Sequence, residues 1–130
     1  MIAARAGRIV NVASTAGVRG YARLAAYSAT KHGVVGLTRA AAAEVARHGV
    51  TVNALCPGYT DTGMAQDGVD NLVRALGTSP ADARAMLART LPRGTLLEPA
   101  EVASAVSWLC SPAAAGISGQ AIVMNGGDAP

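Results

Sequence analysis

Two short apolar runs constrain this chain more than any other feature. They are residues 8–13, around Ile9, Val10 and Val12, and residues 50–56, from Val50 to Cys56. Each reads as a strand. The first has the apolar character of a strand buried on both faces, as in a parallel sheet. Between them residues 27–48 read as a long helix whose small residues, Ala40 to Ala43, allow close packing. Gly49 is its C-terminal stop. Strand, helix and strand in that order make a right-handed βαβ crossover. Pro57 and Gly58 end the second strand with a turn.

The rest of the chain continues the alternation. Residues 59–97 form a long insertion that holds two helices, about 67–76 and 80–90, with Pro80 in a first turn after Ser79. Met64, Leu72, Val73, Leu76, Met86, Leu87 and Leu91 give them one apolar side. A long segment at the carboxyl end of a parallel strand is where lids sit over ligands in open α/β sheets. Residues 98–111 read as a further helix, with Val102, Val106 and Leu109 at helical spacing and Trp108 packing beside them. Residues 117–125 read as a third strand, ended by Gly126 and Gly127. The fold class is α/β, and the chain is read as a single domain.

Composition narrows the function classes. Half of the residues are hydrophobic and 15% are charged, which permits a packed core. The net charge of +3 comes from scattered arginines with no basic run interleaved with aromatics, which speaks against nucleic acid as a partner. The apolar segments are too short or too interrupted to cross a bilayer, so no membrane association is expected. Arg5 interrupts the N-terminus before an apolar signal segment can form. Cys56 and Cys110 lie far apart without a C-x-x-C spacing, and reduced, buried thiols in a cytoplasmic protein are expected. No His/Cys/carboxylate cluster has metal-ligand spacing.

The chemistry concentrates between Ser14 and Lys31. Ser14 follows the first strand, and Tyr27 and Lys31 stand four apart, on one face of a helix. A strand end and a helix start can thus gather a hydroxyl, a phenol and an ammonium at one sheet edge. These groups suit proton transfer to or from a carbonyl or alcohol oxygen. A free tyrosine, with a pKa of about 10, is a poor base near neutrality, and a nearby ammonium favours the phenolate. A serine hydroxyl can hold the substrate oxygen meanwhile. Lys31 is the chain's only lysine, and its compact charge on a flexible stem suits the middle role. A Tyr and a Lys at this spacing are also common on ordinary exposed helix faces.

The segment from Gly7 to Lys31, with its Gly7-Arg8-Ile9-Val10-Asn11-Val12-Ala13-Ser14 lead-in, resembles the catalytic segment of the short-chain dehydrogenase/reductase family. The resemblance continues through Val52-Asn53-Ala54-Leu55-Cys56-Pro57-Gly58, Glu98-Pro99-Ala100-Glu101-Val102-Ala103 and the stretch from Gly119 to Gly127, covering nearly the whole chain in the family's order. It implies that Tyr27 donates or accepts the proton and that Ser14 positions the substrate carbonyl. It implies that Lys31 lowers the tyrosine pKa and binds the nicotinamide ribose. It puts Pro57 and Gly58 beside the nicotinamide ring, Thr62 at its carboxamide, and the backbone near Thr60 at another carboxamide contact. Loop threonines that merely cap a turn are the alternative for Thr60 and Thr62. Asn53, His32 and His48 read as structural, and Asp61 as a residue that orients its loop without chemistry.

The resemblance also has a gap. The family's glycine-rich turn, which binds the cofactor pyrophosphate, has no match here, nor do its N-N-A-G stretch and active-site asparagine. The residue that would choose between NAD and NADP is likewise unmatched. The expectation is the C-terminal half of a Rossmann-like, doubly wound parallel sheet: three strands, flanking helices and a helical lid over residues 59–97. The first strand would then carry an unpaired apolar edge. The implied activity is NAD(P)-dependent interconversion of a ketone and a secondary alcohol, with 3-oxoacyl or 3-hydroxyacyl compounds as the nearest substrate class. A small-molecule carbonyl or alcohol is the implied partner, and a homo-oligomer the implied full-length form. Two rival readings stand beside it: a non-catalytic truncated product, and a module that pairs with a like half.

Overall fold

The computed structural model of the chain describes residues 1–127. Three strands, β1 (Gly7–Val12), β2 (Val50–Pro57) and β3 (Ala121–Met124), form a parallel sheet in the order β1-β2-β3. In register, Gly7 faces Val50 and Val12 faces Leu55, while Ala54 faces Ala121 and Pro57 faces Met124. Helix α1 (Ala25–Val45) connects β1 to β2. Helices α2 (Gly63–Leu76), α3 (Pro80–Arg89) and α4 (Pro99–Cys110) lie between β2 and β3.

The central strand organises the core. Successive β2 side chains alternate faces. Ala54 and Cys56 pack with Ala13 and with Val35 of α1. Leu55 packs the other way, with Leu109 of α4 and Ala114. Both faces are therefore covered, and Ala54, Leu55 and Cys56 are wholly buried. Burial of a leucine of this kind stabilises a fold by about 1.5–3 kcal/mol. The buried positions of α1 are Ser28, Val35, Thr38 and Ala42, one stripe at helical spacing.

Burial on both faces is a property of β2 and not of β1. Ile9 is 37% exposed and Val12 53%. The reason is position: β1 stands at the sheet edge, with no strand among the described residues on its outer side. A second correction concerns β3, which begins at Ala121 and not at residue 117. Gly119 takes a left-handed φ of 74°, which breaks an extended run. The buried Asn53 holds this segment as a loop: its amide donates to the Ile117 carbonyl at 2.8 Å and its oxygen accepts from the Gln120 N–H at 3.1 Å.

Helix boundaries follow local chemistry. Gly49 ends the crossover at φ 68°, and a Cβ there would stand 2.4 Å from the Arg5 carbonyl oxygen, so only glycine fits. α3 starts where the sequence indicates, with the Ser79 hydroxyl accepting from the Asp82 N–H at 3.1 Å. In α4 the Glu101 carboxylate accepts from the Glu98 N–H at 2.7 Å, holding the first turn. α2 begins four residues earlier than the pattern suggests, at Gly63, because the buried pair Ala65 and Val69 draws in its first turn.

Between β2 and α4 lies a separate small core of Ala65, Val69, Ala83, Leu87 and Leu96, with Leu72, Val73 and Leu91 against it. The apolar side expected of these helices is incomplete, since Met64, Leu76 and Met86 are exposed. Trp108 is 45% exposed and does not pack into the core. Of the two free cysteines, Cys56 is buried and Cys110 exposed. No helix among the described residues is long and apolar enough to cross a membrane.

Candidate active site

The site starts where β1 ends. The Ala13 N–H donates to the Leu55 carbonyl at 2.7 Å, one step past the last paired strand residue. Ser14 is extended, and its Oγ accepts from the Ala16 N–H at 3.1 Å, capping a short 3-10 turn over Thr15–Gly17. That cap uses one lone pair of the hydroxyl and leaves its O–H as a donor. The turn lies directly on α1: a Cβ at Gly17 would stand 2.8 Å from the Lys31 carbonyl oxygen. Ser14 and Lys31 are thereby held in fixed relation by backbone packing. The Tyr21 hydroxyl donates to Thr15 Oγ1 at 3.0 Å, closing the loop that follows.

Tyr27 and Lys31 occupy successive turns of α1 on one side. The Lys31 Nζ lies 5.7 Å from the Tyr27 ring centroid and donates to the Val12 carbonyl at 3.3 Å. An ammonium has three N–H groups, so further donors remain. From the other strand end, the Gly58 N–H donates to the Met124 carbonyl at 2.7 Å, fixing the Pro57-Gly58 turn. Thr60 donates to the Gly58 carbonyl at 3.1 Å and Thr62 to the Thr60 carbonyl at 3.3 Å.

One cavity of about 560 Å³ collects these groups. Ser14, Tyr27, Lys31, Pro57, Gly58, Thr60 and Thr62 all line it. Tyr21, Leu24, Tyr59 and Met64 line it too; the sequence offered Met64 only as part of the apolar side of the insertion, and Tyr59 carried a signal by directly following the Pro57-Gly58 turn. A smaller cavity of about 300 Å³ shares Thr15, Tyr21, Gly58 and Tyr59 with it. His32 stays outside, its Nδ1 2.9 Å from the Ser28 carbonyl of its own helix. No group of three or more His, Cys, Asp or Glu residues among the described residues could hold a metal ion.

Two electrostatic features border the cavity. Burial pushes the Cys56 thiol up, against smaller opposing effects of the Ser14 backbone and the charges of Arg39 and Lys31, so a neutral thiol underlies the site. Asp61 is ion-paired with Arg84, whose hydrogen bond holds the Asp61 carboxyl below the usual range.

The donor set suits the nicotinamide end of a dinucleotide. The free N–H groups of Lys31 match a ribose diol, and the Thr60 and Thr62 hydroxyl oxygens keep lone pairs for an amide N–H. A cavity of this volume lies within the usual range for cofactor and substrate sites. No glycine-rich turn joins a strand to a helix N-terminus among the described residues in the manner that binds a pyrophosphate.

Comparison with known proteins gives the family of the chain. The family described as enoyl-(acyl carrier protein) reductase matches residues 1–128. The 3-oxoacyl-[acyl-carrier-protein] reductase of Vibrio harveyi is 44% identical over 127 residues, covering 98% of this chain and 48% of that protein. The cis-4-hydroxycyclohexanecarboxylate dehydrogenase of Sinomonas cyclohexanicum is 45% identical over 127 residues, covering 98% of this chain and 47% of that protein. A crystal structure of an actinorhodin polyketide ketoreductase variant with NADPH superposes with a TM-score of 0.91 at 42% identity, over 98% of this chain and 49% of that one. The chain thus spans about half the length of the relatives it matches.

Proposed function

We propose, since this chain belongs to the short-chain dehydrogenase/reductase family, that it carries the proton-transfer and nicotinamide end of an NAD(P)-dependent ketoreductase active site. The reading rests on one observation above all: Ser14, Tyr27, Lys31, Pro57, Gly58, Thr60 and Thr62 line a single cavity. When bound, a nicotinamide would supply or take the hydride at the substrate carbon. The residues of the chain do the rest.

The Tyr27 phenol exchanges a proton with the substrate oxygen. Ser14 donates its free O–H to the same oxygen and fixes its position, its own orientation set by the Ala16 N–H. Lys31 sets a positive charge beside the phenol and holds the nicotinamide ribose with the donors that Val12 does not use. Pro57 and Gly58 form the floor against the nicotinamide ring, and Thr60 and Thr62 take its carboxamide. Residues 59–97 act as a substrate lid, contributing Tyr59 and Met64 to the cavity. The substrate is a ketone or secondary alcohol, and the names of the relatives favour 3-oxoacyl compounds and cyclic alcohols within that class.

The test is Tyr27→Phe, assayed with NADH and NADPH against a panel of ketones in the protein that contains these residues. Loss of a proton-transfer group costs about 10²–10⁴-fold in rate. Turnover near that of the unmodified protein, with chemistry rate-limiting, would remove Tyr27 from the role.

A further inference from the structure

The loop that follows β2 lines the cavity with Gly58, Tyr59, Thr60 and Thr62. Thr60 and Thr62 line the cavity, while Asp61 between them does not. Thr62 is extended, with φ −137° and ψ 174°. Whatever fixes Asp61 outside the cavity therefore also fixes the short loop that carries both threonines.

Two sets of contacts hold this loop. On the backbone side, Thr60 forms a parallel bridge with Leu97, the Asp61 N–H donates to the Leu97 carbonyl at 2.8 Å, and the Leu97 N–H donates to the Tyr59 carbonyl at 2.9 Å. Leu97 is itself buried. On the side-chain side, the Asp61 carboxylate accepts from the Arg84 guanidinium of α3. α3 packs on α2 through Ala65, Val69, Ala83 and Leu87, so Arg84 rides on the lid core.

We propose that Asp61 is a positioning residue: paired with Arg84, it locks the Thr60–Thr62 loop to the lid and so presents both threonines to the nicotinamide carboxamide. The inference deepens the proposed function and rests on it. The pair is half exposed, with 35% of the Asp61 and 43% of the Arg84 side chain accessible. Its contribution to global stability is accordingly small. Its effect is local: the Thr60 and Thr62 hydroxyls are oriented by the Gly58 and Thr60 carbonyls, and the pair fastens the loop that carries those hydrogen bonds to α3.

Nicotinamide mononucleotide, titrated by NMR into the chain, reads the effect without requiring turnover. Asp61→Asn and Arg84→Met should each weaken its binding about two- to fivefold, the scale of a half-exposed ion pair. Amide exchange across residues 60–63 should speed up by a similar factor. The charge swap, Asp61→Arg with Arg84→Asp, should restore both. Where a ketone is turned over, KM for the nicotinamide cofactor should rise with kcat nearly unchanged. Faster exchange with unaltered mononucleotide affinity would make the pair a structural staple and overturn the proposal. A swap that restores neither readout would overturn it too. No mononucleotide binding by the unmodified chain would instead sink the proposed function, and this inference with it.

Discussion

The cavity has two walls of different make. One wall, from the end of β1 through α1 to the end of β2, is continuous with the sheet core. Ser14, Tyr27 and Lys31 stand on it, and backbone groups fix them: the Leu55 carbonyl under Ala13, the Val12 carbonyl on Lys31, the Lys31 carbonyl against Gly17. The other wall, from Tyr59 to Leu97, has a core of its own around Val69, Ala83 and Leu87. Its two ends are tied to each other, by Leu97 against Tyr59 and Asp61, the Asp61–Arg84 pair fastens α3 to the first of them, and Arg93 pairs with Glu101 of α4. Groups that must hold a reacting oxygen need the first kind of wall, because small displacements are costly in rate. A surface that admits and selects substrate can use the second kind, whose core can shift without disturbing the sheet.

The largest contrast should appear in stability. Leu55→Ala deletes a wholly buried side chain between β2 and α4 and should cost about 2–5 kcal/mol, unfolding the sheet wall as a unit. Leu87→Ala removes a side chain from the core of the second wall, and its effect on amide exchange should be confined to α2 and α3. Equal spread of both effects through the sheet, seen by residue-resolved exchange, would break the distinction between the walls.

Lys31→Arg should come next. Arginine keeps the charge, but its planar fork cannot reproduce a point donor to the Val12 carbonyl beside Tyr27. Turnover should fall and the pH–rate profile should change. An unchanged rate and profile would show that the first wall tolerates imprecision as readily as the second.

A chemical contrast between core and surface is smaller but easy to read. Cys110 is exposed, and Cys56 is buried with its thiol pushed up by burial. A maleimide should label Cys110 in the folded chain and Cys56 only on unfolding. Early labelling of Cys56 would mean that the sheet wall opens readily.

The smallest effect concerns acid. Asp61 and Glu101 have carboxyls held low, by Arg84 and by Arg93 respectively, with the Glu98 N–H assisting the second. A depressed folded-state pKa gives stability that is present above the unfolded value and lost as pH falls through the folded one. With unfolded values of about 3.9 and 4.3, the loss belongs below about pH 4. Exchange across residues 59–63 and at the start of α4 should therefore quicken there before that of β2. Simultaneous loss in all three would assign acid sensitivity to the whole fold.

Legibility in the sequence follows the range of the interactions. β1, α1, β2 and α3 are set by local pattern, caps and glycine stops, and they lie within a few residues of their expected positions. Ser14, Tyr27, Lys31, Pro57, Gly58, Thr60 and Thr62 were visible as candidates because a short spacing and a resemblance carried them, while Tyr21 and Leu24 of the same cavity had neither. The extent of β3 was not, because Asn53, far away in sequence, captures residues 117 and 120 as a loop. The exposures of Trp108, Cys110 and Met64 depend on which faces the neighbouring elements cover, and helical spacing alone does not report that. The Asp61–Arg84 contact joins residues on different elements and leaves no periodic trace.

The central claim is that this chain's two walls enclose the nicotinamide end of a dinucleotide. The direct measurement is a pair of NMR titrations of the chain, one with nicotinamide mononucleotide and one with ADP. The account predicts shifts at Lys31, Gly58, Thr60 and Thr62 with the mononucleotide, saturating in the millimolar range, and no saturable shifts with ADP. Saturable binding of ADP with no response to the mononucleotide would contradict it.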